Sequence, residues 1–182
     1  MDHPQHSPEA LSLGRITPRD PGATLEVLSD ALQIDGSIDL RHTAYGDNLS
    51  PQLRWTPVEG AGAYALILED PDAPMEKPFV HWLIWNIPGS VDYLSEGVPN
   101  GAHLITPQGA VQGKNDNGSF GYFGPRPPPD TGVHHYHFQI FALDGPLTLH
   151  SDATIRALVD SMKGRVLADG ELVGTYAAPA PQ

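Results

Sequence analysis

The side chains best placed to do chemistry lie in three short runs. LEDPDAP holds Asp70 and Asp72, HWLIWNI opens on His81, and HHYHFQIFALD opens on His134 and His135 and carries Tyr136. Carboxylates beside imidazoles can do three kinds of work. They can fix a histidine tautomer so that its ring binds an anion, act as base and orienting partner in a hydrolase, or ligate an ion such as zinc. A serine hydrolase is poorly supported, because Ser119 in GSF lacks the G-x-S-x-G elbow. A metal site is weaker still, with no H-E-x-x-H arrangement and no cysteine. Taken singly, each run also has a plainer reading: Asp before Pro is ordinary turn chemistry, and His135 and His137 share a face with Gln139.

The elements that must position these groups are strands. Apolar stretches broken by Gly, Pro, Asn and Asp about every ten residues predict an all-β sandwich or barrel. The clearest strands are Ala63 to Glu69, Phe79 to Ile87 and His135 to Leu143, rich in aromatic or β-branched residues. Strict alternation puts His81, Leu83, Trp85 and Ile87 on one face, and groups His134, Tyr136, Phe138, Ile140 and Ala142 on another. Each polar group then stands where an apolar strand meets a loop. If those ends converge they make a pocket with aromatic walls and a few fixed polar groups, the usual form of a small-molecule site. A helix is predicted over SDATIRALVDSMKG, capped by Ser151 or Asp152, with Ile155, Leu158, Val159 and Met162 on one stripe and Gly164 as its stop. GRVLADGELVGTYAA suggests a second short helix, weakened by Gly170, and GPRPPPDTG a stiff loop.

The 182 residues and 40% hydrophobic content suit one domain. Residues 1–22 contain four prolines and little apolar content, so they read as a poorly structured extension, with a single domain over 23–182. A net charge of −12 disfavours a nucleic-acid partner, which needs a basic footprint, and docking on anionic membrane for the same reason. Without cysteine there is no disulfide framework. No stretch has the length of a membrane span and the N-terminus lacks a secretory pattern, so a cytoplasmic location is expected.

The order of the pieces adds to this. DPDAP, then HWLIWNIP, then GYFGPRPPPDTGVHHYHFQIFALD resembles the two signature regions of the phosphatidylethanolamine-binding protein family. GDNLSPQLRWTPVEGA upstream and KGRVLADGELVGTY at the end resemble its bacterial Raf kinase inhibitor-like branch, over a span from about Ile34 to Tyr176. The resemblance implies a mainly β fold: a sandwich of two antiparallel sheets, one or two short C-terminal helices, and a small pocket at one end for phosphate-like anions. Its first motif falls on Asp70, Asp72 and Pro74 with the pocket histidine at His81. Its second places Tyr122, Pro127, Pro128, His134 and Tyr136. Arg126 stands where many relatives have a small residue, and His135 where many have arginine.

On this reading the chain is a non-enzymatic binding protein without cofactor, metal or catalytic residue. Its ligand is a phosphate-like anion such as a phospholipid head group or a nucleotide-like or phosphorylated partner, and it modulates a kinase or protease. A His/Asp-dependent hydrolase of small esters or phosphoesters is the alternative, and homodimerisation through strand edges follows by analogy. The donors expected for the anion are His81, His134, Tyr136 or Tyr122, and backbone N–H groups from Gly124 to Arg126. Asp70 and Asp72 are expected to orient both histidines and raise their pKa, so that phosphate affinity falls as pH rises.

Overall fold

Among residues 10–181, which the computed structural model describes, the apolar runs become eight strands in two antiparallel sheets. The small sheet joins β1 (Val27–Leu28), β2 (Leu53–Trp55) and β5 (Tyr93–Leu94) in the order β1-β2-β5. The large sheet runs β6-β4-β3-β7-β8, from β3 (Ala63–Asp70), β4 (Phe79–Pro88), β6 (Val111–Gln112), β7 (Val133–Leu143) and β8 (Val166–Ala177). β3 is buried along its whole length because it lies between β4 and β7 with both faces covered. That explains its continuous apolar run, which alternation alone would not produce.

Between the sheets, Val27, Leu53, Trp55 and Leu94 meet Leu66, Leu68, Trp82, Ile84, Tyr136 and Phe138. The outer face of the large sheet packs Ile67, Val80, Leu83, Trp85 and Phe141 against α2 (Ile155–Met162), which buries Leu158, Val159 and Met162. This helix is the predicted one, but its cap is Thr154, whose side chain accepts from Ala157 N at 3.1 Å. Trp82 is fully buried, and its indole N–H donates to Gln112 Oε1 at 2.7 Å, so burial leaves no donor unpaired there.

Two expectations are corrected. The segment read as a second helix is β8, paired with β7 from Leu143 opposite Val166 to Val133 opposite Ala177. Its glycine is what permits this: Leu25 N donates to Asp169 O at 3.0 Å, and a Cβ on Gly170 would overlap the Leu25 carbonyl. Gly170→Ala is therefore expected to cost about 1–3 kcal/mol in chemical denaturation. A change within about 0.5 kcal/mol would show that the segment before β1 is not held against β8. The second correction concerns the extension. Residues 1–9 lie outside the described residues, but Leu11 and Ile16 are buried, and the short helix α1 (Ser12–Arg15) is docked on the outer face. Ser12 donates from N (3.1 Å) and from Oγ to the buried Glu69, and Leu13 N donates to Gln139 Oε1 at 2.7 Å. Burial raises the Glu69 pKa against the pull of those bonds. No helix among the described residues is long and apolar enough to cross a membrane.

Candidate anion-binding site

Where β3, β4 and β7 reach the same end of the large sheet, they and the loops 71–78 and 123–128 enclose a cavity of about 220 Å³. Asp70, His81, Arg126, Pro128, His134 and Tyr136 line it, with Ala73, Pro74, Met75, Phe79, Phe123 and Pro127 supplying mostly apolar wall.

His81 reaches this cavity through an irregularity. Leu68 pairs with Trp82 but Glu69 pairs with Val80, so β4 carries one extra residue, a β-bulge. The bulge turns His81 to the side of Trp82 and Tyr136, while Leu83 and Trp85 face the outer core. Strict alternation had grouped His81 with Leu83 and Trp85, and fails for this reason. On β7 the alternation holds, with Tyr136, Phe138, Ile140 and Ala142 all on the inner face.

The polar groups are held by bonds that fix their roles. Asp70 is 3% exposed; its Oδ2 lies 2.7 Å from His134 Nδ1 and its Oδ1 accepts from Asp72 N at 2.7 Å, closing the turn after β3. Thr131 Oγ1 stands 2.8 Å from His134 Nε2 and donates its single proton to Pro128 O at 2.7 Å. Both ring nitrogens of His134 are thereby held, Nδ1 by the Asp70 carboxylate and Nε2 by the Thr131 hydroxyl, which fixes the ring at the cavity wall. His81 is different. Its Nδ1 donates to Phe123 O at 2.5 Å, and burial pushes its pKa down to about 4, outweighing that bond and the nearby Asp70 charge. At neutral pH the ring is uncharged and its Nε2 is an acceptor. The expectation that carboxylates raise the pKa of both histidines does not hold at His81, because desolvation is the larger effect.

The Tyr136 hydroxyl is fully buried and has no hydrogen-bond partner; among the described residues only it and Trp55 Nε1 share that condition. Burial raises its pKa, so it remains an O–H donor. Arg126 is exposed at the mouth, with its guanidinium 6.0 Å from the Tyr45 ring centre, and Tyr45 OH donates to Pro127 O at 2.7 Å. The guanidinium is thereby placed over the loop that forms the cavity rim.

Three sequence candidates stand outside the cavity lining. Asp72 turns to His135, accepting from its N at 2.7 Å and lying 2.8 Å from its Nδ1. It pins the start of β7 and reaches neither pocket histidine. Tyr122 is buried in the core and donates to His42 O at 2.5 Å. Gly124 N donates to Asn48 Oδ1 at 2.7 Å, and a Cβ there would overlap the His42 carbonyl, so its N–H is already used and its small size is a packing requirement. Sequence reasoning missed Phe79, Phe123 and Thr131. Thr131 was within reach, since TGVH sets a hydroxyl three residues before His134; Phe79 and Phe123 gave no signal beyond being aromatic.

The fold and the cavity together define a β-sandwich protein with a small, mostly apolar pocket at one end of its large sheet. The chain belongs to the phosphatidylethanolamine-binding protein family, whose model matches residues 28–177. A UPF0098 protein of Methanothermobacter thermautotrophicus is 46% identical over 142 residues, covering 78% of this chain and 91% of that one. The solved structure of Escherichia coli YbcL, described as a new member of the mammalian PEBP family, superposes with a TM-score of 0.78 at 30% identity, over 86% of this chain and all of that one. Chlamydia trachomatis CT736 gives 0.75 at 32% identity, covering 87% and 100%. A Mycobacterium tuberculosis relative, 32% identical over 174 residues (95% of this chain, 82% of that one), is provisionally named lipoprotein LppC. That name lends no support to the expected cytoplasmic location.

Proposed function

We propose that this chain is a non-enzymatic binding protein whose cavity receives one phosphate-like group, as a free anion or as the head group of a larger ligand. The observation that carries the reading is the Tyr136 hydroxyl, buried without a partner on a cavity wall. An unmade bond of this kind costs about 1–3 kcal/mol, and a ligand oxygen would satisfy it. Arg126 at the mouth supplies the compensating charge. Both oxygens of Asp70 are already engaged, by His134 Nδ1 and by Asp72 N, so the carboxylate is not presented bare to an anion. Neutral His81 favours a phosphate that keeps one O–H, because its Nε2 can accept that proton's hydrogen bond. The cavity has room for the group and not for acyl chains, which would stay outside. Modulation of a kinase or protease would then be a consequence of the occupied pocket, and pairing of two copies through strand edges is compatible with it.

The hydrolase reading draws on Asp70, His134 and Thr131, which form a carboxylate, imidazole and hydroxyl in line. The Pro128 carbonyl opposes it by competing for the Thr131 proton, at 2.7 Å against 2.8 Å to His134 Nε2. The test is a titration with phosphate and with phosphoethanolamine, followed by NMR and thermal shift. Wild type is expected to bind both. Tyr136→Phe is expected to bind about tenfold more weakly with unchanged or higher folding stability, since it deletes an unsatisfied polar atom. Unaltered affinity in Tyr136→Phe would refute the reading, and ester turnover lost in both His134→Ala and Asp70→Asn would replace it with the hydrolase.

A further inference from the structure

Behind the 71–78 loop lies a second concavity of about 520 Å³, separated from the first by a wall that includes Met75. Its floor is apolar, formed by Pro78, Val80, Ile155 and Val159. Its rim is cationic: Arg15 from α1, Lys77 from the loop, and Arg156 and Lys163 from α2. These are four of the ten Lys and Arg residues in a chain whose net charge is −12. Three segments far apart in sequence therefore bring mutually repelling charges to one groove.

The three acids of the groove offset these charges only in part. Glu69 is buried under Ser12, which donates to both its oxygens, and burial raises its pKa. Asp116 accepts from Val80 N at 2.8 Å. Asp160 serves Lys163 at 3.1 Å and Arg156 at 4.0 Å. Arg15 feels Glu69 through space, yet among the described residues neither Arg15 nor Lys77 has an ion-pair partner, and both are exposed.

We propose that this groove docks an extended acidic segment of a partner protein, with carboxylates on Arg15, Lys77 and Arg156 and apolar side chains on Val80, Ile155 and Val159. An extended peptide alternates its side chains, so acidic and apolar positions in turn match a cationic rim above an apolar floor. A small anion would leave that floor bare. A nucleic acid would meet the acidic remainder of the surface. The proposal does not depend on the ligand assigned to the Tyr136 cavity.

The probe is a fluorescein-labelled peptide, Glu-Leu-Glu-Val-Glu-Leu-Glu, titrated with the full chain by fluorescence polarisation. Binding is expected to weaken about tenfold in the exposed-site double variant Lys77→Glu/Arg156→Glu, and about tenfold again between about 50 and about 300 mM salt. Amide NMR shifts should cluster around residues 15, 77, 156 and 163. Arg54→Glu, a control on β2, and Tyr136→Phe should both bind as wild type. The proposal is overturned by no binding at millimolar peptide, by equal loss in Arg54→Glu, or by shifts confined to the Tyr136 cavity. It is also overturned if an oligothymidylate of equal charge binds more tightly, which would indicate a nucleic-acid surface. Binding seen only after removal of residues 1–9 would overturn it in favour of the chain's own N-terminus as occupant.

Discussion

Asp70→Ala is expected to lose about 3–5 kcal/mol of folding stability, measured by urea denaturation at neutral pH. The size follows from what Asp70 holds. His134 is 1% exposed and depends on Asp70 for its Nδ1 partner, at 2.7 Å; alanine leaves that nitrogen buried without a partner. The same carboxylate accepts from Asp72 N, and Asp72 in turn accepts from His135 N. One truncation thus frees the turn after β3 and loosens the start of β7. Asp70→Asn separates charge from shape. Its amide can donate to an unprotonated His134 Nδ1 if the ring keeps its hydrogen on Nε2, so the buried groups remain paired and the cost should be only about 1–2 kcal/mol. If the alanine variant lies within about 1 kcal/mol of wild type, the Asp70–His134 pair does not hold the end of the sheet together.

The contrast between Asp70 and Asp72 shows what a sequence can and cannot say about such a site. Both were candidates because both flank Pro71 at a strand end, and that was enough to find the loop. Which carboxylate turns inward depends on the register of β3 against β7, where Glu69 pairs with His137, and no local signal encodes it. His81 shows the same division. Its place at the start of an apolar strand was legible, whereas the bulge that faces it into the cavity arises from pairing with β3. The three long central strands were legible because both their faces are buried and their composition is correspondingly apolar and β-branched. β8 was not, because Gly170 and Gly174 serve contacts with Leu25, Leu32 and Ile38, which come from the other end of the chain. The docking of Leu11 and Ile16 was missed for a related reason: the prolines around them imply a tail, but Ser12 finds Glu69 only once β3 is in place.

The second large effect is one of pH. His81 has its pKa lowered from 6.5 to about 4, chiefly by burial, in a site it shares with Asp70, His134 and Tyr136. Between those values the unfolded chain takes up a proton that the folded chain refuses. Folding stability from this group therefore rises with pH through the window, is complete above about 6.5, and is lost as pH falls toward 4. The full swing is on the order of 3 kcal/mol. Asp169 acts the other way: burial and Glu171 raise its pKa from 3.8 to about 6, so ionising it destabilises the fold as pH rises through that range, although its partial exposure screens the effect. The raw pH profile mixes these with other shifted groups such as the buried Glu69, and the difference between wild type and His81→Asn isolates the histidine. Asparagine can still donate from its amide to Phe123 O, the bond His81 makes through Nδ1 at 2.5 Å, but it does not titrate. Urea denaturation at about pH 7, 5.5 and 4 should show the wild type losing stability relative to His81→Asn by about 3 kcal/mol across the series. Parallel profiles would mean that folded His81 takes up its proton as readily as the unfolded chain, so that below about pH 6.5 its Nε2 would be a donor to an anion.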